Sequence, residues 1–319
     1  MGLRGVDLGN VTVATTADSR PPFDEETVVA FESLERFGGA LRAARRRAFF
    51  IGGVPGPVER RLADLGVEVR VRDVVDERFR FANKLHVFDP RENGDCEVLV
   101  ALDSDVVVAG DFSEHLDAGV VQAKQVDGDG LTFALWQRLF DLFGVRLPAV
   151  RFPTSLHPGG WTHAYFNSGV LVVPGAMLEA LHGRWAGFLR GIIDRHEELP
   201  EVVEHMRDKV PEYHESAMAP ELRPLVFAEQ WALSLAIQDA RLPYAVLPLA
   251  MNFPVAYSDD HVPGRYLDER LRPHAVAPLL LHHHHCVAEG LPPTGYREPD
   301  RVIETVNDFL RERAATQVG

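Results

Sequence analysis

The sequence predicts an α/β fold in which a mostly parallel central sheet is flanked by helices within a single domain. Through the first third of the chain, short apolar strand patterns alternate with helix patterns, a spacing typical of parallel strands joined by right-handed crossovers. The 319 residues contain no internal repeat and no flexible linker. The segment EVLVALDSDVVVAGDF, Glu97–Phe112, is also apolar enough for a strand buried on both faces.

Four strands and the helices between them are predicted before residue 110. The helices carry boundary signals: acids in the first turn of the first, an early proline in the second, and a glycine ending each. The predicted strands are 10–16, 47–53, 67–74 and 97–108, and the predicted helices are 24–39, 55–66 and a short one within 79–90. Ligands of such sheets bind beyond the carboxyl ends of the strands, so candidate site residues are expected there.

The remaining two thirds of the chain are less regular. Residues 151–166, rich in proline, glycine and aromatic residues, are predicted as a loop, and the polar stretch 199–224, with four prolines, as a surface insertion. The predicted helices are 127–145, 176–198, 227–240 and 299–315, and the predicted strands are 167–174, 244–255 and 276–285.

Charge and composition exclude some classes of protein. The net charge of −14 argues against general nucleic-acid binding, and an anionic substrate would need a local device, such as a metal ion, to offset this field. No run approaches the ~18 apolar residues of a membrane span, and the N-terminus lacks the pattern of a secretory signal. Cys96 and Cys286 could form one disulfide, but reduced thiols in a cytoplasmic protein are the more economical interpretation.

Two carboxylates, Asp103 and Asp105, interrupt the apolar strand pattern. Burying an unpaired charge costs several kcal/mol or more, so these side chains need a partner. Alternate residues of a strand share a face and lie roughly 7 Å apart, so one divalent cation beyond the strand end could meet both. The motif DGDG at 127–130 has the same spacing, but its polar, glycine-flanked setting predicts a turn.

The run of four histidines, 282–285, ends the last predicted strand. If the strand continues, His282 and His284 share one face and His283 and His285 the other. One face could add an imidazole to the carboxylate site, and two Asp with one His suit Mn²⁺, and Mg²⁺ less well. The alternative is that the run is a solvated strand end.

At this point the sequence resembles a known group. VLVALDSDVVV resembles the metal-binding motif of nucleotide-sugar glycosyltransferases of the Rossmann-like GT-A fold, and the order of further motifs is similar to the glycogenin-like family 8 and its bacterial relatives. The resemblance spans about residues 10 to 290, but the family's Gly and Lys-Pro-Trp after the late His are absent. The matching positions are Lys84 in ANKLHVF, Asn167, Ser168 and Gly169 in FNSGVLVVP, Glu229 and Gln230 in AEQWALSLA, and the late His run.

The resemblance implies a metal-dependent glycosyltransferase that takes a sugar from a nucleotide-diphosphate donor to an unknown acceptor with retention of configuration. Residues 10–110 would form a nucleotide-binding half, 111–298 an acceptor-side half with insertions, and 299–319 a C-terminal helix. The implied roles are as follows: Asp103 and Asp105 with His282, or else His284, at the metal; Ser104, within the acid motif, at the bound donor; Lys84 at the diphosphate; Thr15 and Asp18 at the base and ribose; Asn167 and Gln230 at the transferred sugar or acceptor.

Two other functions are compatible with a related fold. A nucleotidyltransferase that makes nucleotide sugars normally has a glycine-rich, arginine-containing loop after the first strand, whereas TTADSRPPFD contains no glycine. A non-catalytic nucleotide- or sugar-binding protein is the third possibility, and the intact acid pair and late His argue against it.

Overall fold

The computed structural model describes residues 7–128, 130–155, 160–207, 218–255, 276–284, 287 and 290–317. These residues form twelve strands and eight α-helices. The strands are β1 Val11–Asp18, β2 Arg45–Ile51, β3 Val67–Arg72, β4 Val98–Asp103, β5 Val106–Val108, β6 Val121–Gln125, β7 Phe152–Pro153, β8 Trp161–Thr162, β9 Phe166–Pro174, β10 Tyr244–Val246, β11 Phe253–Pro254 and β12 Leu280–His282. The helices are α1 Phe23–Phe37, α2 Gly56–Asp64, α3 Pro90–Asn93, α4 Phe133–Leu142, α5 Leu178–Asp194, α6 Pro200–Met206, α7 Ala228–Asp239 and α8 Arg297–Gln317.

The centre of the fold is a seven-stranded sheet in the order β10-β6-β9-β4-β1-β2-β3. Strand β1 pairs in parallel with β2 and β4, β2 with β3, and β6 with β10. Only β9 runs against its neighbours, β4 and β6, among the strands of this sheet. The predicted α/β fold with a mostly parallel sheet is therefore confirmed.

Helices cover both faces of the sheet, as the strand sequences require. In β2, the neighbouring residues Phe49 and Phe50 are both fully buried, and they belong to separate hydrophobic clusters on opposite faces. The first cluster is built with α4, α5 and α7 and buries Trp136, Trp185 and Trp231. The second lies beneath α1 and α2.

A smaller sheet, β11-β12-β5, corrects the strand predicted over 97–108. That segment is two strands: β4 belongs to the large sheet, whereas β5 pairs antiparallel with β12. The chain turns at Ser104 and Asp105 between them. The apolar pattern continues across the turn because both strands are buried, so the pattern alone cannot reveal where the chain changes sheets.

Other elements also differ from the prediction. Strand β6 was not predicted, the late strands are far shorter than 244–255 and 276–285, and the helix within 127–145 begins only at Phe133. The stretch 199–224 is not simply a surface insertion. It contains α6 and a 3-10 helix, Pro220–Leu225, whose buried side chains complete the first cluster: Val202, Met206, Leu222 and Leu225.

The C-terminal helix α8 packs against α1. Arg313 donates 2.6 Å hydrogen bonds to Glu32 and Glu25 of α1, and the rings of Phe37 and Phe309 meet edge to face at 5.6 Å. In the part of the chain that the structure describes, no helix is both long enough and apolar enough to cross a bilayer. Cys96 is a buried free thiol, and Cys286 lies outside the described residues.

Candidate functional site

A cleft opens at the carboxyl edge of the large sheet, where the fold class predicts one. Strand β4 ends at Asp103 and β1 runs on to Asp18, so both carboxylates reach this edge. The cleft is lined by residues from several elements, which include Thr16, Asp18, Lys84, Asp103, Ser104, Asp105, Gln230, His282 and His284.

Three potential metal ligands converge in this cleft. One ligand atom each of Asp103, Asp105 and His282 lie within 4.8 Å of one another. The small sheet produces this convergence: His282 pairs with Val106, the residue after Asp105, and the backbone N–H of His283 donates to the Asp105 carbonyl at 2.9 Å. His282 is thereby brought to the acid pair although more than half of the chain separates them.

The three side chains suit a divalent cation such as Mn²⁺. Two carboxylates and an imidazole are ligands that Mn²⁺ accepts. His282 Nε2 lies 3.3 Å from Asp105 Oδ1, close to the ~3 Å that separates adjacent ligands of a six-coordinate ion with bonds of about 2.1 Å. Asp105 is only 6% exposed. Burial opposes protonation of His282, but the Asp105 carboxylate outweighs it and raises the pKa of this imidazole.

The strand does not continue through the histidine run, but His284 still lies on the same side as His282 and lines the cleft with it. Strand β12 ends at His282, and His284 adopts a left-handed conformation with a φ of 47°. Its ring stacks on that of His282 at 4.3 Å, and burial together with the neighbouring His282 lowers its pKa to about 2. His283 is fully buried, and His285 lies outside the described residues.

Lys84 lies beside the acid pair, on a 3-10 helix, Arg80–Phe88, that follows β3. Its Nζ is 2.7 Å from Asp103 Oδ1 and donates to Ser168 Oγ at 2.8 Å. A second carboxylate, that of Glu229, lies 3.7 Å away. Burial disfavours the charge on Lys84, but Asp103 and Glu229 outweigh this effect and raise its pKa, so the side chain stays cationic.

Glu229 is a buried acid at the start of α7. Burial raises its pKa, and Ser168 Oγ donates a 2.5 Å hydrogen bond to its Oε1. The backbone carbonyl of Glu229 accepts from the Trp185 indole at 2.7 Å, which fixes this turn of the helix. Gln230, the next residue, lines the cleft as expected.

The strand β9 contributes Asn167 and Gly169 close to His282. Asn167 Oδ1 accepts hydrogen bonds from the backbone N–H of Gly169 at 2.8 Å and from Asn252 Nδ2 at 2.9 Å. The imidazole of His282 packs directly over Gly169: a Cβ at this position would lie 2.6 Å from His282 Cε1. Asn252, which was not identified from the sequence, has no local motif that marks it.

The lining of the cleft also includes Asp18, whose carboxylate contacts two arginines. Arg80 Nη1 donates to it at 3.0 Å and Arg20 Nε lies 3.2 Å away. Thr15, the other residue expected here, is buried and does not line the cleft, whereas its neighbour Thr16 does. Side chains alternate along β1, so a shift of one residue decides which threonine faces the ligand.

The described residues of the DGDG motif, 127, 128 and 130, do not line this cleft. Asp127 is the counter-ion of the buried Lys124, and Ser155 Oγ donates to it at 2.5 Å. Asp129 lies outside the described residues.

Comparison with known proteins gives a family match. A family model described as the Rhodobacterales glycosyltransferase domain matches residues 53–240, more than half of the chain. No curated protein matches the sequence.

Similar solved structures include three glycosyltransferases. The bifunctional glycosyltransferase WbbM is 16% identical over 89% of this chain and 47% of its own, with a TM-score of 0.47. Mouse xyloside xylosyltransferase 1 is 12% identical over 88% of this chain and 99% of its own, with a TM-score of 0.48. GlyE of Streptococcus pneumoniae TIGR4 is 17% identical over 96% of this chain and 64% of its own, with a TM-score of 0.49. This chain therefore spans about half the length of WbbM.

Proposed function

Because this chain belongs to the Rhodobacterales glycosyltransferase domain family, we propose that it transfers a sugar from a nucleotide-diphosphate donor to an acceptor with the help of Mn²⁺. In this reaction the bond from the sugar C1 to the diphosphate breaks, a bond from C1 to an acceptor oxygen forms, and the acceptor loses a proton. The observation that carries the proposal is the convergence of Asp103, Asp105 and His282 on the floor of the cleft.

Asp103, Asp105 and His282 would hold the cation. When bound there, Mn²⁺ supplies positive charge for the donor diphosphate, which the acidic chain otherwise repels. The ion pair between Lys84 and Asp103 links this ligand set to the Lys84 ammonium group.

Lys84 is assigned to the leaving group. Negative charge grows on the diphosphate as the sugar departs, and a fixed ammonium beside it stabilises that charge. Asp103, Ser168 and Glu229 hold the ammonium in place, and because its pKa is raised it stays charged throughout the working pH range.

The remaining cleft residues are assigned by position. Thr16 and Asp18, on the strand beside Asp103, are assigned to the base and ribose, with Arg80 orienting the Asp18 carboxylate. Asn167 and Gln230, which also line the cleft, are assigned to the transferred sugar or the acceptor. Retention of configuration, implied by the sequence resemblance, is part of the proposal and is tested by NMR of the product anomer.

A donor screen tests the proposal. Nucleotide-diphosphate sugars are incubated with the protein in Mn²⁺, in Mg²⁺ or in EDTA, and release of nucleoside diphosphate is measured. We expect release from one donor with Mn²⁺, none in EDTA, and none from Asp105→Asn. Asp64→Asn, a change at an exposed residue of α2, is the matched control.

Two outcomes would contradict the proposal. Pyrophosphate release from a nucleoside triphosphate and a sugar phosphate would identify a nucleotidyltransferase. Unchanged nucleotide affinity in Asp105→Asn, measured by calorimetry in Mn²⁺, would place the metal elsewhere.

A further inference from the structure

Asn252 lies at the centre of a hydrogen-bond chain that connects His282 to Asn167 of β9. It is fully buried and precedes β11, which pairs in parallel with β12 so that Pro254 lies beside His282. Asn252 Oδ1 is 3.0 Å from His282 Nδ1, and Asn252 Nδ2 donates to Asn167 Oδ1 at 2.9 Å. Both ends of one amide are therefore engaged inside the protein.

The direction of every hydrogen bond in this chain follows from one backbone group. The N–H of Gly169 can only donate, so the Asn167 atom that it contacts, 2.8 Å away, is the oxygen. The neighbouring Asn252 atom must then be the NH₂ group, since two carbonyl oxygens would repel each other. The Asn252 oxygen therefore faces His282, and because it can only accept, Nδ1 of that ring carries the hydrogen.

This order leaves the neutral ring with its lone pair on Nε2. Nε2 is the atom that lies 3.3 Å from Asp105 Oδ1 and belongs to the convergent ligand group. A metal ligand needs a free lone pair, and hydrogen bonding of the other ring nitrogen is the usual way in which proteins fix this tautomer. Asn167 lines the cleft, and because its oxygen is already used twice in this chain, its NH₂ group is the part of the amide left to donate to a ligand.

We propose that Asn252 is a positioning residue that fixes the metal-binding tautomer of His282 and, through the same amide, fixes Asn167 as a hydrogen-bond donor toward the transferred sugar. The inference rests on the proposed function for the identity of the ligands. The tautomer itself can be measured without metal, donor or turnover. Asn252 is fully buried and does not line the cleft, so it acts only through these two residues.

Three variants separate the two roles. In Asn252→Leu, both hydrogen bonds are lost, and Mn²⁺ affinity is expected to fall about 10- to 100-fold, the range measured when groups that orient metal ligands are removed. In Asn252→Asp, the carboxylate still accepts the hydrogen bond from Nδ1–H of His282, so Mn²⁺ affinity should stay within about threefold. The carboxylate then offers no hydrogen-bond donor to the Asn167 oxygen. The donor KM should therefore rise in Asn252→Asp while Mn²⁺ affinity is retained. Asn93→Leu, at another fully buried asparagine that does not line the cleft, is the control for burial alone.

The direct test is long-range ¹H–¹⁵N NMR of the histidine rings in the metal-free protein at alkaline pH, with His282 assigned from the missing signal of His282→Gln. We expect the Nδ1–H tautomer in the wild type and in Asn252→Asp, and a mixture in Asn252→Leu. An Nε2–H tautomer in the wild type overturns the inference, as does unchanged Mn²⁺ affinity in a folded Asn252→Leu. If Asn252→Leu does not fold, the wild-type tautomer and Asn252→Asp decide. If the wild type binds no Mn²⁺, the proposed metal dependence fails, whereas the tautomer still decides the role of Asn252.

Discussion

Replacing Gly169 with alanine is the sharpest test of the packing beneath the proposed metal ligands. The new Cβ would lie 2.6 Å from His282 Cε1, 2.8 Å from Nδ1 and 3.0 Å from Asn167 Oδ1, whereas ordinary contact begins at 3.4 Å. The imidazole must therefore retreat by about 0.8 Å. Since ligand distances in metal sites are held to within about 0.2 Å, such a shift takes Nε2 out of its place beside Asp105.

We expect Gly169→Ala to weaken Mn²⁺ binding by about 10- to 100-fold and to lower the free energy of unfolding by about 1–3 kcal/mol. Isothermal titration calorimetry measures the first quantity and urea denaturation the second. Gly183→Ala is the matched control, because a Cβ at that exposed position of α5 would meet no atom within 4 Å. Alanine within a helix should there leave metal affinity unchanged and raise stability slightly.

A double-mutant cycle makes this prediction refutable even if Gly169→Ala loses stability. If the displaced ring no longer binds metal, adding His282→Ala to Gly169→Ala should cost little further affinity. A folded Gly169→Ala with wild-type Mn²⁺ affinity would refute the reasoning, and so would full additivity of the two changes.

Three further predictions follow from the same geometry. Lys84→Met should lower kcat by about 10²- to 10³-fold with little change in the KM for the sugar donor, because the Lys84 charge acts mainly on the leaving group. Mn²⁺ binding without nucleotide should not weaken, since Lys84 competes with the ion for Asp103. A normal kcat with a raised KM would make Lys84 a plain binding residue. Mn²⁺ affinity should fall as pH falls through the pKa of His282, which Asp105 raises, so calorimetry should place the midpoint above the usual ~6.5, and a midpoint at or below that value would contradict the assignment. In the metal-free protein, the free energy of unfolding depends on pH in the opposite direction to Mn²⁺ affinity. The stability that protonated His282 contributes is present below the pKa of this residue in the unfolded chain and is lost as pH rises through its pKa in the folded protein. His283→Ala should lower the melting temperature, because the His283 ring is fully buried. An unchanged melting temperature would show that the ring contributes nothing to packing.

The sequence was sufficient for the parallel half of the fold, where buried strands and capped helices leave strong local patterns. Strand β6 was missed because three of its five residues, Gln122, Lys124 and Gln125, are polar yet buried. Lys124 is tolerated there only because Asp127 and Ser155 lie beside it, and Gln122 because it bonds the chain near His115 and Asp117. Such partners come from tertiary packing, which no local pattern shows.

The candidate site was foreseen where its residues belong to short motifs, as at Asp103, Asp105 and Lys84. Choices between neighbours depended on register: the structure selects Thr16 rather than Thr15 at the cleft, and His282 rather than His284 at the acids. Asn252 could not be foreseen, because its importance arises from the pairing of β11 with β12 and not from its neighbours in sequence.

The division of the acid motif between two sheets bears on how this protein folds. Strand β4 and Asp103 can join β1 as soon as the first third of the chain has been synthesised, since their pairing is local by the standards of a parallel sheet. Strand β5 and Asp105, however, have no antiparallel partner until β12 arrives, more than half of the chain later. Closing so long a loop is slow and entropically costly. The ligand cluster is therefore among the last parts to assemble, and folding intermediates that already contain the large sheet should still lack affinity for the metal.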